Sequence, residues 1–234
     1  NITNGLFNTS LYAEYGFTDK LTGILYFPFF SRNLINNQVS GTTGEIIKDG
    51  EALNAIGDAD LGLKYGLTKP GAKIAVSATL RLGLPLGTSV GGSENNLQTG
   101  DGEFNQLVQM DAGTSFGSSE QPMYANISVG VNNRTNDFSD ELRFGAEVGV
   151  GLAAKKLWLI ARLAAIQSLK NGKLASEINS TSIFANNAEI ISIGGEINYY
   201  ATEQMGISVG LTAPISGKII FAAPAYSVGV FYDM

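Results

Sequence analysis

Cysteine and histidine are both absent from the 234 residues of this chain. Their absence removes disulfides, thiolate nucleophiles, imidazole bases and the common zinc ligand sets together. Most hydrolase and metalloenzyme mechanisms go with them, and the sequence implies no cofactor, no metal and no enzyme. Charge is scarce as well, at 15% of residues, and the net charge of −6 comes with no clustered basic face. A nucleic-acid partner is excluded on that ground, since phosphate binding draws on Lys and Arg grouped on one surface. Also missing is any apolar run near the ~18 residues that a membrane helix requires. Asn1 does not open the basic start and short apolar stretch of a signal peptide.

What is abundant is glycine, with 29 residues, and alternation. Apolar and polar residues change places with period two in segment after segment, punctuated by Gly, Asn and Pro clusters, which is the strand signature. The pattern predicts eleven strands, at 5–17, 21–32, 57–68, 72–86, 104–117, 123–135, 138–153, 157–168, 188–201, 205–214 and 222–234, and no helix. Their connections alternate in length. Short turns fall at 18–20, 69–71, 118–122, 154–156 and 202–204, and longer polar stretches at 33–56, 87–103, 169–187 and 215–221, with 136–137 the one tight exception.

Short periplasmic turns facing long external loops are the asymmetry of bacterial outer-membrane barrels. The expected fold is all-β, a single domain over 1–234 forming an antiparallel up-and-down transmembrane β-barrel in the outer membrane. In that arrangement the first and last strands both descend, whereas single-chain bacterial barrels have even strand numbers and both ends in the periplasm. A twelve-strand barrel is therefore expected, with one further strand and a signal peptide upstream of Asn1.

The stretch "GDADLGLKYGL" at 57–67 poses the question of which face is inside. Ala59, Leu61, Leu63, Tyr65 and Leu67 point one way, and Asp58, Asp60, Gly62, Lys64 and Gly66 the other. A water-soluble sheet buries the apolar side, and an outer-membrane barrel turns it to lipid. Along the whole chain the polar parity collects Glu14, Arg32, Asp58, Asp60, Lys64, Lys73, Arg81, Asp111, Arg134, Glu141, Arg143, Glu147, Arg162 and Glu196, separated by Gly, Ser, Thr and Asn. A soluble surface is usually about a quarter to a third charged, so the scarcity of charge favours lipid outside. Tyr15, Phe17, Tyr65, Phe116, Tyr199 and Tyr232 share the apolar parity close to the short turns, where an interfacial aromatic girdle belongs. Phe27, Phe29, Phe104 and Tyr226 form a looser set at the other end. Trp158 falls on the lumen parity, which only a bulge near 155–157 would reconcile with a girdle.

The hairpin "GDADLGLKYGL … KIAVSATLRLGLPLG" over residues 57–87 resembles the outer-membrane family named for the MetA pathway of phenol degradation, itself related to long-chain fatty-acid transporters. The rest of the chain matches in pattern. "YSVGVFYDM" is similar to the C-terminal assembly signal of outer-membrane proteins, with Met234 in place of the usual terminal aromatic. The resemblance implies a barrel that admits small apolar or aromatic molecules.

Glu14, Lys64, Asp111, Glu147, Arg162 and Glu196 sit about three to six residues above their short turns, a band roughly 8–15 Å above the rim at ~3.3 Å per residue. Two readings are open: a network that satisfies charges inside a narrow lumen, or a constriction that sets ion selectivity. Asp58, Asp60, Arg81, Arg134, Glu141 and Arg143 are further lumen charges. The paired acids Asp58/Asp60 and Glu141/Glu147 have the same-face spacing that alternation produces by itself, so no catalytic role is assigned. Asp49 and Glu51 are candidates for a cation site. Pro28, Pro85 and Pro214 lie near external strand ends, as terminators or as kinks opening a lateral route. The loop 33–56, with Leu34, Ile35, Ile46, Ile47 and Leu53, is expected to fold over the mouth or to contact a partner. The expected function is passive transport of small solutes, apolar or aromatic ones included. The alternative is an accessory subunit with a plugged lumen, held beside other outer-membrane proteins. A soluble β-sandwich is a third reading and requires the apolar faces to be buried.

Overall fold

The computed structural model describes residues 4–174, 184–220 and 222–233. Fourteen strands lie among them: β1 (Asn4–Gly16), β2 (Leu21–Ile35), β3 (Gln38–Val39), β4 (Ile46–Lys48), β5 (Glu51–Ala55), β6 (Ala59–Gly66), β7 (Ala75–Leu84), β8 (Asn105–Gly117), β9 (Pro122–Arg134), β10 (Glu141–Leu152), β11 (Leu157–Ser168), β12 (Glu189–Tyr200), β13 (Met205–Lys218) and β14 (Ala225–Tyr232). Eleven of them pair in the order β1-β2-β6-β7-β8-β9-β10-β11-β12-β13-β14, every neighbour antiparallel, in one curled sheet. Among the described residues there is no helix.

Local chemistry sets the meander. At three short turns a hydroxyl caps the backbone three residues ahead: Leu21 N donates to Thr18 Oγ1 (3.0 Å), Gln121 N to Ser118 Oγ (3.1 Å) and Met205 N to Thr202 Oγ1 (2.9 Å). The tight exception is Asn136-Asp137, both at positive φ (54° and 61°), with Phe138 N donating to Thr135 O at 3.0 Å. Two central residues of positive φ make the hairpin turn whose twist matches its strands.

The sheet is inside-out. Leu61, Leu63, Val129, Ile193, Val209 and Val228, on strands from β6 to β14, all leave their apolar side chains exposed, and Val228 is 83% exposed. Only five apolar residues are buried among those described, against thirteen polar or charged ones, Arg134, Glu103 and Asn132 included. A soluble domain buries its apolar atoms, so the sandwich is ruled out by its missing core. Turning the apolar face outward and the charges inward suits a hydrocarbon surrounding.

Several local expectations are corrected. The stretch 33–56 is not a plain loop: β2 runs on to Ile35, β5 pairs with it at Ser31–Ile35, and β3 and β4 form a separate hairpin. The register of β1 with β2 shifts between Thr9 and Leu11, opposite Pro28 and Phe29. Proline cannot donate to the ladder, and the bulge accommodates it. Beyond it the faces exchange: Phe30 meets Phe7 edge-on, Arg32 is exposed with Nη1 donating to Asn54, and Ser31 and Asn33 are buried. Arg32 therefore leaves the polar parity. Lys73 lies outside any strand. No bulge interrupts β10 and β11, whose register runs unbroken from Glu141↔Ser168 to Leu152↔Leu157 and keeps Trp158 on the inner face.

Strand β1 pairs only with β2, and β14 only with β13. The two run in the same direction, from the long-loop end to the short-turn end, and each keeps one edge unpaired among the described residues.

Candidate functional site

The inner face carries three polar or aromatic groupings. The first lies above the short turns. Glu147 and Arg162 are register partners, with Arg162 Nε 2.5 Å from Glu147, and the same guanidinium reaches Glu196 at 2.5 Å. Tyr124 donates its hydroxyl to Glu147. Beside them, Asp111, Asn126, Ser128, Glu147 and Arg162 border an open cavity of about 240 Å³, together with apolar Leu163. On the opposite flank Lys64 Nζ lies 3.3 Å from Glu14, which also accepts from Tyr12 Oη. Asp111 makes no ion pair with the triad or with Lys64 and accepts from Gln109 Nε2 (2.6 Å) and Thr79 Oγ1 (3.3 Å). The six sequence-predicted charges thus divide into a triad, a pair and a lone acid.

Below the triad, rings line the inner face. Tyr124 and Trp158 lie 5.8 Å apart, and Tyr200 and Phe231 4.8 Å apart in a T-shaped contact. Glycine makes the room. A Cβ on Gly149 would collide with the Tyr124 ring, one on Gly151 would meet Trp158 at 3.1 Å, and one on Gly206 would strike Phe231. Gly149 and Gly151, in the stretch "VGVGLAAK" at 148–155, are therefore a bed for aromatic rings.

The third grouping closes over the long-loop end. Residues 85–104, between β7 and β8, form a strap that doubles back on itself through Thr99 N to Thr88 O (2.8 Å). Asn33 Nδ2 donates to Gln98 O, Thr99 Oγ1 to Ile56 O, and Ser93 N to Glu51. Arg134, with a side chain only 4% exposed, holds Asp101 (3.1 Å), Glu103 (2.5 Å) and Glu141 (2.9 Å) at once. Its guanidinium also covers the Phe138 ring at 4.4 Å. Burial raises the Glu103 carboxyl above its ordinary value, against the pull of Arg134. Asp58 accepts from Gly87 N (2.8 Å) and Asp101 N (2.9 Å). Burial is the main cause that pushes its carboxyl up to about 6, and the Asp101 charge adds to it.

Of the other predicted charges, Arg143 Nη2 lies 2.9 Å from Glu141, and Arg81 is 4.0 Å from Asp60. The aromatic residues Tyr15, Phe17, Tyr65, Phe116, Tyr199 and Tyr232 are all exposed at the short-turn ends of their strands. Glu51 accepts from the Ser93 amide and hydroxyl, and among the described residues no group of three acids could hold a metal. Sequence reasoning missed Asp101 and Glu103, which sit in a loop without periodicity. It also missed Tyr12 and Tyr124, whose parity with Glu14 and Asn126 could have revealed them.

No protein-family model matches the chain, and neither does any curated protein sequence. Among the solved structures that share its architecture are two outer-membrane proteins. The NanC porin, in a rhombohedral crystal form, is 8% identical, with 100% of this chain and 97% of that chain covered at a TM-score of 0.55. The COG4313 outer membrane channel from Pseudomonas putida F1 is 14% identical, with 98% of this chain and 82% of that chain covered at a TM-score of 0.57. At such identities the likeness is one of fold, and the fold is that of outer-membrane barrels.

Proposed function

We propose that the chain is an outer-membrane channel for the passive passage of small solutes. The observation that carries this reading is the inverted sheet, apolar outside and charged within. Planar-bilayer recording of the detergent-extracted protein tests it. Steady open steps are expected, and their absence in protein that has inserted counts against a channel.

Closure belongs to the same reading. In lipid an unpaired strand edge is too costly to leave open, and β1 and β14 run parallel to each other. One strand antiparallel to both gives an even, all-antiparallel barrel of twelve. Cysteines replacing Ser10 and Ser227, which share the inner face, test this. An intervening strand holds β1 and β14 about 9–10 Å apart, at two spacings of ~4.8 Å, beyond disulfide reach. Rapid cross-linking would instead mean direct closure by eleven strands.

For the solute class, the rings of Tyr124, Trp158, Tyr200 and Phe231 support passage of molecules with a flat apolar ring, in line with the family resemblance of residues 57–87. Phenyltrimethylammonium, a ring joined to a fixed cation, should block the current from the short-turn side, and Trp158→Ala should relieve the block. Equal block by tetraethylammonium would argue against ring recognition. A second reading, a sealed accessory subunit, draws support from the strap over the long-loop end. Silent insertion with a stable association to another outer-membrane protein would favour it.

A further inference from the structure

We propose that the strap is a pH-operated latch on the long-loop mouth, held by the Asp58 carboxyl group and tightened by acid. The idea rests on the channel reading for its consequence and on the strap's own geometry for its mechanism. Asp58, in the short connection between β5 and β6, grips both feet of the strap. One oxygen accepts from Gly87, where the chain leaves β7, and the other from Asp101, just before it enters β8. The fit is tight, because a Cβ on Gly100 would overlap the Asp58 carboxyl group.

The strap bridges distant strands. Asn33 on β2 and Glu51 on β5 hold its middle, and Arg134 on β9 holds its far foot. Its own Leu97 and Thr99 are buried. Releasing the Asp58 grip leaves the Asn33, Glu51 and Arg134 contacts as its remaining ties and so loosens a segment of about twenty residues over the mouth, with loop length adding little entropic cost.

Charge supplies the switch. The group facing Asp58 is the carboxylate of Asp101, whose own partner is Arg134. Glu103 and Glu141 share that same arginine. Asp60 on β6 pairs with Arg81 on β7, Arg143 on β10 pairs with Glu141, and Lys48 is taken by Glu51 and Glu94. No cation contacts Asp58 among the described residues. Its ionised form is therefore held against burial and a like charge, with only two N–H donors in compensation. Once protonated, Asp58 offers a hydroxyl to Asp101 and the repulsion ends.

The sign follows from linkage. The Asp58 carboxyl is raised to about 6 when latched, and a released carboxyl returns to the ordinary range near 3.9. The latched state binds more protons between those values, so acid favours it, and its stabilisation is lost as pH rises through about 6. Going from pH 7.5 to 5.0, the latched-to-released ratio should rise about tenfold.

Single-channel recording of the full protein at the two pH values tests this, beside Asp58→Asn. The asparagine keeps an acceptor for the amides and donates to Asp101, as the protonated acid does. The closed-to-open ratio of wild type should rise about tenfold at pH 5.0, and D58N should show the same ratio at both values. A wild type indifferent to pH, or a D58N that still responds, overturns the proposal. The chain has no cysteine, so spin labels on Val90→Cys in the strap and Glu120→Cys in a short turn give a second readout. If the protein is silent at both pH values, the channel reading fails while the latch is still decided. A distance distribution that narrows at pH 5.0 in wild type and is constant in D58N supports it, and one unchanged in wild type overturns it.

Discussion

Glu147 and Arg162 face each other directly across β10 and β11, and Arg162 turns its remaining nitrogens to Glu196 on β12. One cation between two anions leaves a net negative ring segment on the inner face. Removing the arginine exposes both acids to the permeating ion. A unit charge about 10 Å from that ion in water contributes ~0.4 kcal/mol, about twofold for each ion. Arg162→Ala should therefore raise the cation-to-anion permeability ratio about fourfold, read as a shift in reversal potential under a salt gradient. Glu147→Gln should move it the other way.

Arg134 differs from Arg162 in being buried. Three carboxylates meet its guanidinium, and Glu103 also accepts from the Thr135 amide at 2.8 Å. Breaking a buried charge cluster from one side usually costs about 3–5 kcal/mol. Arg134→Ala should lower the thermal unfolding temperature strongly in detergent. Arg143→Ala, which frees a half-exposed partner of Glu141, should cost no more than ~1 kcal/mol. Equal effects from the two variants would count against a buried cluster.

Gly149 and Gly151 make room for rings, and Trp158 is the sole tryptophan of the chain. Tryptophan emission, excited apart from the nine tyrosines, therefore reports on this bed alone. Gly149→Ala should push the Tyr124 ring aside, shift the Trp158 emission and destabilise the barrel by about 1–3 kcal/mol, as overpacking does. Gly41→Ala, where a Cβ would meet nothing within 4 Å, should change neither.

Leu63 stands 52% exposed on the outer face, one residue before the inward Lys64. An arginine on the lipid face near the bilayer midplane costs about 2–4 kcal/mol. Leu63→Arg should reduce refolding into lipid vesicles, measured by the heat-dependent mobility of the folded form on gels. Lys64→Leu on the inner face should leave refolding intact.

Much of this was legible in the sequence. Period-two alternation placed Leu61, Leu63 and Tyr65 together, and eleven strands follow from it because each side chain's face is a purely local property. The turn at Asn136-Asp137 was equally plain, since two residues tolerant of positive φ sat between periodic runs. Where period two breaks, the reading broke too. Pro28 inserts a bulge, so Phe30 and Arg32 swap faces, and only the pairing with β1 reveals it. Asp101 and Glu103 were invisible because their partner Arg134 lies over thirty residues away and no repeat leads to it. The equal-height band resolved into separate contacts, since strand stagger decides which charges meet. The ring bed is not legible in one strand, because the room for Trp158 comes from Gly151, its register partner on the neighbouring strand.

The central claim is that the apolar face of this sheet is its outside. A spin-label scan of single cysteines from Ala59 to Gly66, in protein reconstituted into lipid, tests it most directly. Collision with oxygen, which concentrates in hydrocarbon, should peak at 61, 63 and 65, and collision with a water-soluble nickel chelate at 60, 62 and 64. Oxygen maxima at 60, 62 and 64, or two profiles without alternation, would contradict the account.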